Sequence, residues 1–262
     1  MAKTSDKQNQ IVSVCGLKKS YGKHEVLKGV DFSVTKGQIF SLLGSNGAGK
    51  TTIVRILSTL LKFDEGAVSI CGYDLFKEPD KIRDCISLTG QYAAVDEMLT
   101  GRENLYLVAR LRHLKDYKSK VSELLEMFEL TNASNKLVKK YSGGMRRKVD
   151  LAMSLLGDPQ IIFLDEPTTG LDPQSRLNLW KTIKDLKNNG TTIFLTTQYL
   201  EEAERLADVV AVLDNGKIVS SGTPQELKTA LKDINNQEYE KDLPTLEDVF
   251  LSIINKKGER ND

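Results

Sequence analysis

The sequence predicts an α/β protein whose central sheet is mostly parallel and is covered by helices. Two observations support this prediction. First, a glycine-rich turn joins an apolar strand at 39–43 to an amphipathic helix. Second, an apolar strand at 161–164 is followed by a helical segment at 173–188 and by another strand at 192–196. Strands that alternate with helices in this way are typical of parallel sheets.

The composition is that of a folded protein without a strong charge bias. The chain has 262 residues, of which 40% are hydrophobic and 28% charged, and its formal net charge is +1. Near-neutral charge argues against a general nucleic-acid coat. No run approaches the ~18 apolar residues of a membrane-spanning helix, and the polar N-terminus lacks a signal peptide's apolar core. We therefore expect a chain that is not itself a channel or permease and carries no signal peptide.

The N-terminal third is predicted to consist of strands and one helix. Val30, Phe32 and Val34 alternate with polar residues, as in a sheet with one covered face. The apolar residues of 39–43 fall on both faces, which indicates a strand buried on both sides. After the glycine-rich turn, four apolar residues at helical spacing predict one helix: Ile53, Ile56, Leu57 and Leu60.

The middle of the chain, from about 92 to 157, is predicted to be mostly helical. Thr100 and Glu103 have the spacing of a capping box, and an apolar stripe follows at 121–128. Further on, Asp172 before a proline predicts the start of the helix at 173–188.

The C-terminal part is predicted to contain a hairpin and little else that is regular. Asp214-Asn215-Gly216 lies between two apolar runs and has the composition of a tight hairpin turn. The last forty residues are charged and are predicted to hold one short amphipathic helix after Thr245, with Ile253 on its apolar face.

A phosphate-binding loop is predicted at the glycine-rich turn. Residues 44–51 fit the pattern G-x-x-x-x-G-K-[ST] between a buried strand and a helix, which disfavours a chance turn. Glycines let backbone N–H groups point at phosphate oxygens, and the helix adds its positive N-terminal end. The lysine is predicted to reach the β and γ phosphates, and the threonine after it to ligate Mg²⁺. The predicted ATP-binding residues are Gly44, Ser45, Asn46, Gly47, Ala48, Gly49, Lys50, Thr51 and Thr52.

Two carboxylates follow the strand at 161–164, at the edge where open α/β sheets bind ligands. Asp165 is predicted to hold Mg²⁺, directly or through water, and Glu166 to polarise a water for attack on the γ phosphate. Alone, an apolar run that ends in Asp-Glu is more often a strand that enters a solvated turn. Together with the phosphate loop, the pair is interpreted as the catalytic half of an ATP site.

The segment Tyr141-Ser142-Gly143-Gly144-Met145 resembles the signature motif of ABC-transporter ATPases. The family's usual form begins with Leu and ends with Gln, so Tyr141 and Met145 are departures, whereas the Ser-Gly-Gly core is retained. From the residues alone, Ser142 can cap the following helix while glycine N–H groups bind a phosphate. The alternative is a simple helix cap.

The resemblance extends to single positions. Tyr21 matches the aromatic residue that stacks on adenine, although a lone Tyr near a strand is more often a packing residue. Gln91 matches the loop glutamine that touches Mg²⁺ or the attacking water and links the site to the membrane partner. Asp172 matches the loop through which two nucleotide sites communicate. Gln198 stands where a histidine is usual, and it is predicted to hold a γ-phosphate oxygen or the attacking water, which leaves Glu166 as the base.

The resemblance also implies a fold and an assembly. The fold is a RecA-like P-loop core with an N-terminal antiparallel β subdomain and an inserted helical subdomain. The implied ATPase domain covers 1–220, its helical subdomain about 92–157, and a C-terminal extension covers 221–262. Each ATP is expected between one subunit's phosphate loop and the Ser-Gly-Gly core of a second, identical or homologous ATPase, so that ATP binding closes the dimer.

Several longer segments resemble the daunorubicin-resistance type of drug-export ATPase: 89–92, 96–105, 141–151, 196–203 and 244–251. This finer resemblance implies a subunit of a type-2 ABC exporter for drug or lipid-like cargo. ATP and Mg²⁺ are its expected cofactors. It is expected at the cytoplasmic face of the cell membrane, held there by a separate integral-membrane permease.

Other functions remain open at this point. An importer ATPase would carry the same motifs. A soluble ABC ATPase that acts on ribosomes or nucleic acid usually has two ATPase units, coiled-coil insertions or zinc modules. The sequence shows none of these, so no nucleic-acid partner is expected. A protein that binds nucleotide without turnover is disfavoured by the intact Lys50, Asp165 and Glu166.

A cluster of basic residues at 136–148 allows two interpretations. It is either a solvated helix face or a surface that meets acidic permease loops or anionic lipids. Its members are Lys136, Lys139, Lys140, Arg146, Arg147 and Lys148.

Overall fold

A computed structural model describes residues 9–234 and 245–251. Its strands are β1 (Gln10–Tyr21), β2 (His24–Thr35), β3 (Ile39–Leu43), β4 (Glu65–Ile70), β5 (Tyr73–Asp74), β6 (Ile86–Thr89), β7 (Ile161–Asp165), β8 (Thr192–Thr197), β9 (Val209–Asp214) and β10 (Lys217–Gly222). Its helices are α1 (Lys50–Leu57), α2 (Pro79–Cys85), α3 (Gly101–Leu111), α4 (Tyr117–Met127), α5 (Gly143–Ser154), α6 (Pro173–Asn188), α7 (Leu200–Leu206) and α8 (Pro224–Ile234). A further short helix covers 246–251.

The strands form two sheets. The larger sheet has the order β10-β9-β3-β8-β7-β6, in which every neighbouring pair is parallel except β9 and β10. The smaller sheet is antiparallel and has the order β2-β1-β4-β5. The predicted class, a mostly parallel sheet with an N-terminal antiparallel part, is confirmed.

Both faces of the parallel sheet are buried, which explains its continuous apolar strands. On β7, Phe163 packs into the cluster that fills the space between the two sheets, whereas the adjacent Ile162 packs against the helices of the opposite face. Three rings join the sheets, because Phe40 stacks on Phe32 at 5.3 Å and on Phe194 at 5.4 Å. The parallel strands are therefore held from both sides.

Helices α3, α4 and α5 lie between β6 and β7 in the chain, in the region that the sequence predicts to be helical. The predicted capping box is present: the Glu103 amide donates to Thr100 Oγ1 at 3.2 Å, and the Thr100 amide donates to Glu103 Oε2 at 2.8 Å. The subdomain limits themselves, about 92–157 within 1–220, stay a prediction.

One predicted helix is too long and another was missed. Helix α1 ends at Leu57, and Leu60 lies beyond it with 61% of its surface exposed. The cause is the backbone at Thr59, whose φ of 64° is incompatible with a right-handed helix. Helix α8, in turn, has a start signal that the prediction overlooked: Thr223 and Glu226 exchange reciprocal capping bonds of 2.8 and 3.1 Å.

The C-terminal predictions are otherwise confirmed where the structure describes the chain. The hairpin of β9 and β10 turns at Asn215 and Gly216, which both have positive φ. The short helix starts after Thr245, whose Oγ1 accepts a bond from the Asp248 amide. Ile253 lies outside the described residues. Within 9–234 and 245–251, no helix has the length and apolar character needed to span a bilayer.

Candidate nucleotide-binding site

Three parallel strands bring the predicted site residues to one edge of the sheet. Strand β8 lies between β3 and β7, so the carboxyl ends of these three strands are adjacent. The glycine-rich loop follows β3, Asp165 ends β7 and Gln198 follows β8. This is the edge at which α/β sheets place their ligands.

The loop at 44–49 depends on its glycines. A Cβ on Gly44 would lie 2.5 Å from the Leu213 carbonyl oxygen, and one on Gly49 would lie 2.8 Å from the Leu27 side chain. Gly49 also has a φ of 110°, a conformation that side chains rarely allow. A side chain at either position would therefore disrupt the tight loop.

Lys50 opens helix α1 and turns back over the loop. Its ammonium donates to the carbonyl oxygens of Gly44 at 2.9 Å and Ser45 at 3.0 Å. The same ammonium lies 3.1 Å from Glu166 Oε1, and both side chains are buried, with 4% and 10% of their surfaces exposed. The predicted phosphate-binding lysine and the predicted base are thus ion-paired to each other.

Asp165 is held by two hydroxyls. Its Oδ1 accepts from Thr196 Oγ1 at 2.5 Å and from Thr51 Oγ1 at 3.4 Å. Carboxylate and hydroxyl oxygens at this spacing match the hard oxygen ligands that Mg²⁺ prefers. The donor set therefore fits the metal that the sequence implies.

Thr196 is a site residue that the sequence analysis missed. It pairs with Asp165 in the register of β7 and β8, and its carbonyl oxygen and hydroxyl both accept from the Glu166 amide at 3.1 Å. This bonding holds Glu166 in a left-handed conformation with a φ of 47°. The apolar strand at 192–196 was visible in the sequence, but its place beside β7 was not, so no sequence signal paired Thr196 with Asp165.

Residues of the glycine-rich loop, the start of α1 and Glu166 line one cleft of about 270 Å³. Val26, which was not predicted, closes it from the antiparallel sheet. The lining consists of Val26, Asn46, Gly47, Gly49, Lys50, Thr51, Thr52 and Glu166. Loop amides, one lysine and two oxygen ligands in one open cleft are suited to a nucleotide triphosphate with its metal.

The Ser-Gly-Gly core lines a different cleft, of about 170 Å³. Ser142 caps α5, since its Oγ accepts from the Met145 amide at 3.2 Å. The cleft is lined by Ser142, Gly144 and Ser175, among others, and shares no lining residue with the first cleft. The predicted phosphate loop and the Ser-Gly-Gly core of one chain therefore lie in separate clefts.

The departure at Tyr141 has a local reason. Its hydroxyl donates to the Ala133 carbonyl oxygen at 2.6 Å, and the buried ring packs against Gly101, where a Cβ would lie 2.5 Å from that hydroxyl. Tyr141 thus ties the start of α5 to α3 in a way that Leu cannot.

Asp172 caps α6 as predicted. It accepts from the Ser175 amide at 2.9 Å and from Ser175 Oγ at 2.6 Å. These bonds, led by the one from the Ser175 hydroxyl, lower the pKa of the Asp172 carboxyl. A Cβ on Gly144 would lie 2.7 Å from Ser175 Oγ, so the loop at Asp172 and the Ser-Gly-Gly core are in direct contact.

Three further predicted residues, Tyr21, Gln91 and Gln198, do not line the nucleotide cleft. Tyr21 ends β1 with 48% of its surface exposed and does not line the cleft. Gln91 is exposed and Gln198 is half-buried. Among the described residues, neither glutamine forms a hydrogen bond with Asp165 or Glu166. Their predicted roles therefore stay predictions.

Helices α6 and α7 are joined by a buried pair of side chains. Trp180 Nε1 donates to Glu202 Oε1 at 2.9 Å, and the guanidinium groups of Arg176 and Arg205 lie over the indole, at 5.6 and 5.5 Å from its ring centroid. Burial raises the pKa of the Glu202 carboxyl. This contact links the helix that Asp172 caps to the helix that follows Gln198.

The predicted basic cluster is not a single face. Arg147 is 3% exposed and pairs with Asp150 inside the molecule. Two further members form ion pairs with acidic residues of neighbouring segments, Arg146 with Glu97 and Lys148 with Glu129. The prediction of one solvated or membrane-facing basic face is wrong for Arg147, because a buried guanidinium cannot contribute to it.

The chain was compared with known proteins. A model of the ABC transporter family matches residues 27–169, more than half of the chain. The chain belongs to this family. ATP-binding subunits of ABC transporters hydrolyse ATP, and the protein is such an ATPase. Subunits of this type generally dimerise and pair with membrane permeases.

Several similar proteins of the ABC transporter family are named for drug resistance. Daunorubicin resistance ATP-binding protein DrrA3 of Streptomyces coeruleorubidus is 49% identical over 83% of this chain and 69% of its own length. Doxorubicin resistance ATP-binding protein DrrA of Mycobacterium tuberculosis is 45% identical over 92% of this chain and 74% of its own length. The predicted family, including its drug-resistance branch, is confirmed.

A solved structure of an ATP-binding subunit of an ABC transporter has the same fold. It superposes with a TM-score of 0.79 at 29% identity, over 93% of this chain and 99% of its own. The predicted P-loop core with an antiparallel β subdomain and inserted helices is thus the fold of ABC ATPases.

Proposed function

We propose that this ABC ATPase powers a multidrug-type exporter, with a separate permease as its membrane partner and drug or lipid-like molecules as cargo. The observation that carries the catalytic part is that Lys50, Thr51 and Glu166 line one cleft. Asp165 adjoins it, since its Oδ1 accepts from Thr51 Oγ1 at 3.4 Å. The export part is supported by relatives at 45–49% identity that are named for daunorubicin and doxorubicin resistance.

We assign roles to the cleft residues from their geometry. The amides of 44–49 and Lys50 would bind the phosphates, while Thr51 and Asp165, with Gln91, would hold Mg²⁺, which stabilises charge on the phosphates when bound. Glu166 would accept a proton from the attacking water. For this, Lys50 has to exchange Glu166 for phosphate oxygens, so nucleotide binding frees the base.

A dimer would complete the site. The Ser-Gly-Gly core lies in its own cleft, away from the phosphate loop of the same chain. We infer that it binds the γ phosphate of a nucleotide held by a second, identical or homologous chain. Asp172, in contact with Gly144 through Ser175, would then carry information between the two sites.

Large apolar residues near Gln91 support permease docking at this place. Tyr92 and Met98 have 84% and 68% of their surfaces exposed. Together with the permease, the protein is expected at the cytoplasmic face of the membrane. The alternative is the ATPase of an importer. The direction of transport distinguishes the two, since an importer would raise rather than lower the cell's content of the cargo.

We expect the Tyr92→Ser/Met98→Ser variant to lose membrane association when it is co-expressed with its permease. The reason is the loss of the two large exposed apolar side chains that follow Gln91 in the chain. The measurement is the membrane-bound fraction after ultracentrifugation, together with daunorubicin efflux from cells. Leu251→Ser, an exposed site in the short C-terminal helix, is the control. Membrane binding of the parent in cells that lack the permease would contradict this docking.

We expect Gln198→Ala to hydrolyse ATP more slowly than the parent, because it loses an amide donor to the γ phosphate or the attacking water. The loss of one charge-assisted contact, ~1.5–3 kcal/mol, corresponds to roughly 10- to 150-fold in kcat. Gln198→His should stay active and add an inflection near the imidazole pKa of about 6.5 in the pH–rate profile. Parental turnover in Gln198→Ala would show that Gln198 has no part in the reaction.

A further inference from the structure

Arg147 and Asp150 form a buried ion pair one helical turn apart on α5, the helix that Ser142 caps. Their side chains are 4% and 5% exposed, and Arg147 Nη1 lies 3.2 Å from Asp150 Oδ2. Neither residue lines the nucleotide cleft. Its role therefore has to be sought in what else the two side chains contact.

Both side chains contact the loop that carries Gln91. Arg147 Nη1 donates to the Gly90 carbonyl oxygen at 2.6 Å, and the Ala94 amide donates to Asp150 Oδ1 at 3.2 Å. These two bonds fall on either side of the exposed Gln91. The loop is thus fastened to α5 at both ends while the side chain of Gln91 stays accessible.

The pair is a poor source of stability. Arg147 Nε and Nη2 are buried and have no hydrogen-bond partner among the described residues. Burial lowers the pKa of the Arg147 guanidinium and raises the pKa of the Asp150 carboxyl to about 6. Because well-packed apolar residues often replace a buried ion pair without loss of stability, stability alone does not explain this pair.

We propose that Arg147 and Asp150 are positioning residues that fix the Gln91 loop to the helix of the Ser-Gly-Gly core. The two elements then move as one unit, so that a displacement of the loop by the permease or by nucleotide reaches the Ser-Gly-Gly core. This inference rests on the proposed roles of Gln91 and of Ser142 to Gly144.

The test removes both charges at once, in Arg147→Met/Asp150→Leu. The thermal midpoint of this variant is expected to stay within a few degrees of the parent's. The affinity of the monomeric variant for ATP is also expected to match the parent's, because the phosphate loop is untouched. The kcat for ATP is expected to fall roughly 2- to 30-fold, the range of coupling energies between linked sites. A variant with parental stability and parental kcat would overturn the proposal.

A double-mutant cycle with Gln91→Ala separates positioning from general damage. If the pair acts through Gln91, the Met/Leu substitutions change kcat little further in the Gln91→Ala background. If the decrease in kcat caused by Gln91→Ala and the decrease caused by the Met/Leu substitutions multiply in full, the proposal is overturned. A parental kcat in Gln91→Ala would instead refute the proposed role of Gln91. That outcome distinguishes a failure of the proposed function from a failure of the inference about Arg147 and Asp150.

A conservative variant covers the case in which the apolar pair does not fold. Arg147→Lys keeps the charge opposite Asp150 but shortens the reach toward the Gly90 carbonyl oxygen. It is expected to fold and to show an intermediate kcat with unchanged ATP affinity. Full activity in Arg147→Lys, with amide exchange at Gly90 to Ala94 faster than in the parent, would show that fastening the loop is irrelevant to turnover.

Discussion

Glu166→Gln is expected to lower ATP turnover by roughly 10²- to 10⁴-fold, the contribution of a general base. The amide keeps the shape of the side chain but cannot accept the proton of the attacking water. ATP affinity is expected to stay or to rise, because Lys50 no longer has a carboxylate partner at 3.1 Å to give up. The nucleotide then competes for Lys50 with a neutral group.

The measurement combines single-turnover hydrolysis with size-exclusion chromatography in Mg·ATP. An ATP-bound dimer should accumulate, since closure takes place and reopening does not. Glu201→Gln is a matched control, because Glu201 pairs with Arg205 on the surface of α7. Turnover like that of the parent would remove Glu166 as the base, and a monomer at high protein concentration would contradict the dimeric site.

Lys50→Ala is expected to weaken ATP binding by roughly 10- to 150-fold, since each charge-assisted hydrogen bond contributes ~1.5–3 kcal/mol. It also leaves Glu166 buried without its cation, which would repel the phosphates. We therefore expect Lys50→Ala/Glu166→Gln to recover part of the affinity, although it does not recover turnover.

Titration calorimetry with Mg·ATP measures both variants. Lys115→Ala, at an exposed lysine of the segment between α3 and α4, serves as the control for the loss of one positive charge. Unchanged affinity in Lys50→Ala would refute the assignment of the phosphate loop.

The sequence was informative where local patterns dictate the structure. The alternation around Phe32, the apolar residues on both faces of the strand at 39–43 and the Asn215-Gly216 turn each favour one conformation, and the structure has it. The helix limits were less certain. Leu60 continues the apolar period of α1, but the left-handed backbone at Thr59 ends the helix and no periodicity reveals it.

The site was predictable as a set of residues and not as a set of contacts. The motif at 44–51 and the carboxylates at 165–166 are local patterns, so they could be found. The Lys50–Glu166 pair and the bond from Thr196 to Asp165 depend on strand order, which one sequence does not display. Arg147 was misjudged for the same reason, because a basic run does not show which member faces Gly90.

Trp180 is the only tryptophan of the chain, and its contacts make it a built-in optical probe. Its indole N–H bonds to Glu202 on α7 and two guanidinium groups, one from each helix, lie over its ring, so its fluorescence depends on how α6 and α7 are placed. Asp172 caps the start of α6, and α7 begins two residues after Gln198. Selective excitation of this indole would therefore report in real time, without an added label, on movements that nucleotide causes at both of these positions.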